Sequence, residues 1–284
     1  MTAPAPPPGA FDCHTHVFGP FDRFPLAADR AYTPGPAGVA QLRTHLDALG
    51  IEHVVLVQPS PYGSDNSCLA DALARLGPRA RGVAVIDLGA TDAELGDLHR
   101  AGVRGIRVNL HSRGNDRPIS DLLPAAGERV APLGWHVQVF ADAETLLDAA
   151  TTIAGMPVPV VIDHLGLLPG PGRALDGMCE LLAEQHVWIK LSAPERATGS
   201  PDGPDAAAVA RALLAAAPDR TVWASDWPHT DGRDRRDPLA VEPFRAVDDR
   251  AALDRLWRWC GGEQAWQAVL ADNPRCLYGS SIPG

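Results

Sequence analysis

The stretch FDCHTHVFGP places His14 and His16 on either side of Thr15. Two imidazoles two residues apart share one face of an extended strand. Such a pair can share a metal ion, relay a proton or polarise a carbonyl group. Two further groups of this kind close apolar runs: His164 ends VVIDH and Asp226 ends VWASD. A carboxylate beside three imidazoles supplies a general base for water, or a fourth ligand for zinc. Taken singly, each residue has a plainer reading, since a lone His is commonly a hydrogen-bonded core residue and an Asp after a strand a helix cap. Their joint placement carries the argument. His45, His53, His99, His136 and His186 fall on helices or at strand starts and read as structural.

Joint placement requires a fold that gathers strand ends. The sequence predicts strands over 11–16, 53–58, 82–87, 105–110, 135–140, 158–164, 187–192 and 221–226, with helices near 37–49, 66–76, 92–101, 120–132, 142–154, 174–185, 205–217 and 242–271. Apolar runs alternating with helical segments are the pattern of an α/β fold, a parallel (β/α)8 TIM barrel, with a doubly wound open sheet as the competing arrangement. On a barrel, catalytic residues collect at the carboxyl ends of the strands, where His14, His16, His164 and Asp226 all fall. Residues 1–10 read as a flexible proline-rich arm and 11–284 as one barrel domain. The Pro/Gly-rich segments 18–38 and 229–238 read as lid loops on the top face.

Bulk properties narrow the function. A chain of 284 residues with 45% hydrophobic content can bury one large core. The net charge of -10 argues against nucleic acid as a partner, because a phosphate backbone needs a basic face. The opening MTAPAPPPGA has neither a basic start nor an apolar run, and no segment is long enough to span a bilayer, so the expectation is a cytoplasmic protein without a membrane partner. Five scattered cysteines without a C-x-x-C pair fit reduced thiols. A homo-oligomer is compatible with everything in the sequence. All basic residues but Lys190 are arginine, and a single lysine on strand 187–192 raises the alternative of Schiff-base chemistry.

The ordered set FDCHTHVFGP, AYTP, VQPSPYGSDNSCLADAL, RGIRVNL, GWHVQVF, VVIDHLG, KLSAPER, WASDWPH and NPRCLYG resembles the amidohydrolase superfamily. More narrowly it is similar to the branch of 2-pyrone-4,6-dicarboxylate lactonases and sugar-lactone hydrolases or isomerases. The resemblance implies a small anionic lactone or carboxylate as substrate. It places Arg107, Arg113 and Arg196 at carboxylate-binding positions, a role that suits the bidentate guanidinium fork. It also places Tyr32 on the lid and Ser64 or Asn66, Gln138, Phe140 and His229 around the substrate. Asp65 and Asn66 could equally cap the next helix.

Three departures from the superfamily pattern matter. Metal-dependent members carry a histidine on the fifth strand and often a lysine on the fourth, where this chain has Gln138 and Arg107. A neutral amide is a poor zinc ligand and an inward guanidinium repels a dication, so no cofactor is favoured. One Zn²⁺ held by His14, His16, His164 and Asp226 stays open. Phe140 stands where the pyrone-dicarboxylate enzymes have tyrosine, which removes a hydrogen-bond donor. The expectation is a lactonase with Asp226 as general base and His14, His16 and His164 polarising the carbonyl. The alternatives are a lactone isomerase, a metal-dependent decarboxylase, an aldolase using Lys190, and a ligand-binding protein without turnover.

Overall fold

The structure is a computed structural model that describes residues 2–110, 118–231 and 237–279. Ten strands occur in these residues: β1 (Phe11–Thr15), β2 (Thr33–Pro34), β3 (His53–Val57), β4 (Ala80–Ala84), β5 (Val103–Asn109), β6 (His136–Phe140), β7 (Val160–Ile162), β8 (Val187–Leu191), β9 (Thr221–Trp223) and β10 (Val241–Glu242). Eight of them form one parallel sheet in the order β1-β3-β4-β5-β6-β7-β8-β9, with helices between successive strands. This is the expected (β/α)8 barrel. The strands read as nearly continuous apolar runs because both faces are covered. Residues such as Leu56, Ile106, Val139 and Ile189 pack outward against the helices. Phe11, Cys13, Val55, Val83, Val161 and Val222 fill the interior together with Tyr278.

The barrel closes across the ends of β1 and β9 by an irregular seam. Asp226 N–H donates to the His14 carbonyl at 3.0 Å, and His16 N–H to the Trp227 carbonyl at 2.8 Å. Below that point the Asp12 carboxylate does the work of a ladder. It accepts from Ser225 N at 3.0 Å, Ser225 Oγ at 2.5 Å and His14 N at 3.3 Å. The seam coincides with a bulge. Asp12 pairs with Val54 and Thr15 with Leu56, so three steps along β1 match two along β3. The extra residue turns the strand, and Cys13, His14 and His16 all reach the interior.

The segment 18–38 is joined to residues 238–242. β2 pairs with β10, and Thr33 Oγ1 donates to the Pro238 carbonyl at 2.7 Å. Phe18 lies between Tyr62 and Phe244, at 6.3 and 6.2 Å between ring centroids. The arm that the sequence suggests is flexible makes defined contacts at its two ends. Ala3 N donates to Asp254 Oδ1 at 2.8 Å, and the Ala10 carbonyl accepts from Glu52 and His53.

Strand ends differ from expectation in one instructive way. β4 stops at Ala84 rather than 87, because the Asn66 side chain takes both the N–H and the carbonyl of Val85. No helix among the described residues is long and apolar enough to cross a membrane.

If Asp12 carries the seam, Asp12→Ala leaves the Ser225 N–H and hydroxyl unpaired in a buried site. The expected loss is about 3 kcal/mol of unfolding free energy. Urea denaturation reads it directly, and a loss under about 1 kcal/mol would show that the seam holds without the carboxylate.

Candidate active site

Three of the four converging groups, His16, His164 and Asp226, stand beyond their strands. β7 ends at Ile162 and β9 at Trp223, and both His164 (φ 50°) and Asp226 (φ 68°) occupy left-handed turns. Among the described residues, all six non-glycine residues with positive φ, namely His164, Leu165, Leu167, Ala193, Asp226 and His229, follow the last three barrel strands. Such conformations persist only where surrounding contacts over-determine them, and they cluster at functional sites. They bring four buried atoms to one focus. His14 Nε2 and His16 Nε2 are 3.3 Å apart, and Asp226 Oδ1 lies 3.9, 3.8 and 3.9 Å from the Nε2 atoms of His14, His16 and His164.

The opposite atom of each group is held from behind. His16 Nδ1 donates to the Val57 carbonyl at 2.7 Å, and His164 Nδ1 meets Ser192 Oγ at 2.8 Å. Asp226 Oδ2 accepts from Arg196 Nε at 2.9 Å and Nη2 at 2.7 Å, with Arg245 Nη2 at 3.7 Å. His14 Nδ1 faces Asp163 Oδ1 at 3.2 Å and Lys190 Nζ at 3.3 Å. Burial therefore keeps the imidazoles neutral: His16 and His164 are pushed down to about 4, and His14 falls well below its ordinary range. Burial alone would raise Asp226. The Arg196 guanidinium, together with His164, His14 and His16, offsets that effect and holds the carboxyl well below the usual carboxylate range.

Beneath His14 lies a charged network that the sequence did not reveal. Asp163, fully buried, receives Gln138 Nε2 at 2.9 Å and Arg107 Nε at 3.2 Å on one oxygen. On the other it faces His14 and Lys190 Nζ, the latter at 3.4 Å. Lys190 also donates to Gln138 Oε1 at 2.6 Å. Gln138 points inward as expected, but both ends of its amide are spent in this network. Lys190 is locked on three partners with no exposed surface, a poor setting for an amine that must attack a carbonyl.

The other expected site residues separate into two groups. Phe140 and Arg107 stand at the cluster: the Phe140 ring meets His164 edge-on at 5.0 Å, and the Arg107 guanidinium lies 5.0 Å over it. Tyr32 is buried under the lid, within electrostatic reach of Arg196. Four residues are bonded to other protein groups. Asn66 is pinned to the backbone of Ser64 and Val85, and Ser64 Oγ donates to Asp87 at the exposed surface. His229 Nε2 bonds Asp249 Oδ2 at 2.9 Å. Arg196 spends Nε and Nη2 on Asp226 and the Thr230 carbonyl. Arg113 lies outside the described residues.

The amidohydrolase family matches residues 11–280. The chain belongs to the amidohydrolase family. It is 37% identical over 290 residues to the 2-pyrone-4,6-dicarboxylate hydrolase of Comamonas testosteroni, covering 96% of this chain and 90% of that one. Identity to a 4-sulfomuconolactone hydrolase of Rhizobium radiobacter is 34%, over 96% and 91% of the two chains. An Acinetobacter baumannii structure, described as a probable 2-pyrone-4,6-dicarboxylic acid hydrolase with citric acid bound, aligns with TM-score 0.78 and 27% identity over 96% and 100%. A Burkholderia multivorans amidohydrolase with bound zinc shares the fold, at TM-score 0.68 and 22% identity over 95% and 98%. This amidohydrolase therefore falls in the branch of lactone hydrolases and isomerases.

The donor atoms of this amidohydrolase can be tested against a zinc ion. A tetrahedral ion with bonds near 2.1 Å sets its ligand atoms about 3.4 Å apart. The His14–His16 separation of 3.3 Å matches, and the distances to Asp226 Oδ1 are within half an ångström of it. His14, His16 and Asp226 thus form a group able to hold a divalent ion, with His164 Nε2 3.9 Å from Asp226 Oδ1 beside it. A second group, His14, Asp163 and His164, has the Lys190 ammonium 3.3 to 3.4 Å from two of its members, which repels a dication.

Four buried imidazoles also set the pH dependence of stability. His136, at the base of the barrel, is pushed down to about 3, so it stays neutral with His14, His16 and His164. In the unfolded chain each titrates near 6.5. The folded values lie below the unfolded ones, so stability is complete above pH 6.5 and is lost as pH falls toward 4. The slope is up to about 1.4 kcal/mol per pH unit for each histidine. Urea midpoints at pH 7.5 and pH 5 measure it, and an equal or higher midpoint at pH 5 would contradict a neutral cluster.

Proposed function

We propose that this amidohydrolase hydrolyses a carboxylated lactone, with Asp226 as the general base. The supporting observation is the division of labour between its two oxygens. Arg196 anchors Oδ2, while Oδ1 faces the focus of three imidazole Nε2 atoms. Oδ1 takes a proton from water as the water oxygen bonds to the lactone carbonyl carbon. When the ring C–O bond breaks, the same proton passes to the departing enolate or alkoxide oxygen. The carboxylate returns to its starting form, and the net change is addition of one water.

Tautomers assign the oxyanion donor. A neutral imidazole carries one N–H, and that of His16 is committed to the Val57 carbonyl, so its Nε2 presents a lone pair. His164 differs, because the Ser192 hydroxyl can donate to Nδ1 and leave Nε2–H directed at the focus. His164 is therefore the imidazole that polarises the carbonyl, with His14 behind it. Zinc held by His14, His16 and Asp226 would supply the same polarisation when bound. The local charges favour the metal-free reading. Two carboxylates that touch the imidazoles, Asp163 and Asp226, are matched by three cations, Arg107, Lys190 and Arg196. The surplus positive charge suits an anionic substrate and opposes a dication.

Metal analysis of the purified protein, with a panel of carboxylated lactones assayed before and after chelation, tests this reading. The expected result is turnover that survives chelation and falls about 10²–10⁴-fold in Asp226→Asn. One zinc per chain with activity lost on chelation would replace His164 by the ion. No turnover of any lactone would remove the assignment.

Phe140 bears on which lactone. Its ring fills the space between Arg107 and His164 and offers no hydroxyl, so 2-pyrone-4,6-dicarboxylate is a poor substrate on this reading. Phe140→Tyr should raise kcat/KM for that compound about three- to tenfold, the worth of one hydrogen bond. Efficient turnover by the unaltered protein, with no gain in the variant, would refute it.

A further inference from the structure

Beside Arg107 lies a cavity of about 410 Å³, within the range that ligand sites occupy. Two of its lining residues connect it to the imidazole cluster. Gln58, on its wall, directly follows Val57, whose carbonyl holds His16, and Arg107 is bonded to Asp163 and stacked on Phe140. Val85 from the loop after β4 and Leu122 and Ala126 from the helix Ile119–Val130 give it an aliphatic side, and Ser60 and Asn109 line it as well. Asp87 also lines it. A carboxylate there opposes entry of a second anionic group. The aliphatic side of the cavity is apolar surface that a ligand could remove from water.

We propose that this cavity receives an uncharged apolar substituent of the substrate, whose carboxylate lies against Arg107. The substrate class is then a lactone acid bearing an alkyl or aryl group of several carbons, rather than a bare ring carrying carboxylates. The proposal rests on the lactone reading for the chemistry of the ring. The subsite itself, an anion at Arg107 joined to an apolar tail, can be measured without turnover.

Isothermal titration calorimetry of the full-length protein with straight-chain carboxylates, from acetate to octanoate, provides the test. Affinity should rise about fourfold with each added methylene until the cavity is filled, the factor expected for burial of one CH₂. Ala126→Phe, which fills the cavity, should flatten the series, and Arg107→Met should weaken every member while keeping the slope. A flat series in the unaltered protein, which needs no variant to fold, overturns the proposal. So does a slope that persists unchanged in a folded Ala126→Phe. Lactone turnover with a flat series would sink the subsite and leave the hydrolase reading intact. A sloped series in a protein that opens no lactone would do the reverse.

Discussion

The buried carboxylate of Asp163 is the constraint around which the upper barrel is arranged. With no water in contact, an ionised carboxyl is tolerated only where donors and positive charge surround it. Here His14 comes from β1, Arg107 from β5, Gln138 from β6 and Lys190 from β8, while Asp163 itself follows β7. Five of the eight barrel strands are thereby registered on one group. The requirement explains residues that otherwise look out of place in a barrel interior. The only lysine of the chain is a fixed counter-charge, and Gln138 is oriented by having to donate to Asp163 and accept from Lys190. Burial would raise Asp163, and the surrounding cations with His14 hold it well below the usual carboxylate range instead.

From that network the geometry of the imidazole cluster follows. Asp163 and Lys190 fix the ring of His14 from below, Val57 fixes His16 from the side, and Ser192 fixes His164. Each ring has one nitrogen engaged, so the other three nitrogens have only the focus to face. The seam sets the fourth group, because Asp226 N–H is bonded to the His14 carbonyl in the same short segment that Asp12 stitches to Ser225. The left-handed turns at His164 and Asp226 are held by hydrogen bonds on both backbone and side chain, which is how such strain persists.

Much of this was legible in the amino-acid sequence, and what was not has identifiable causes. The eight barrel strands stand out because parallel strands buried on both faces are unbroken apolar runs. The four converging groups stand out because each sits at a run's carboxyl end. Alternation fails where the backbone departs from regular geometry. It would send Asp163 and His164 to opposite faces, yet β7 stops at Ile162 and a left-handed turn lets both carboxylate and imidazole face inward. The bulge in β1 likewise lets Cys13 and His14, adjacent in sequence, share the interior. The bonds of Asn66 and His229 escape the sequence for a different reason: their partners, Val85 and Asp249, lie 19 and 20 residues away, and no local pattern records such bonds.

Arg196 shows how the same residue type can serve two chemistries. Its position suggested a grip on substrate, and its geometry is that of an anchor, with Nε and Nη2 both donated to one oxygen of Asp226. Whether a carbonyl is polarised by an imidazole or by an ion, Asp226 Oδ1 is the carboxylate oxygen at the focus, so the anchor is needed in either case. For Arg196 to hold a substrate carboxylate with those same atoms, two charge-assisted bonds to the base would have to break. Arg107 faces no such conflict, because Asp163 retains Lys190, Gln138 and His14 as partners. Substrate charge is therefore best met on the Arg107 side of the cluster, where the cavity lies, and Arg196 on the far side keeps the base aligned with it.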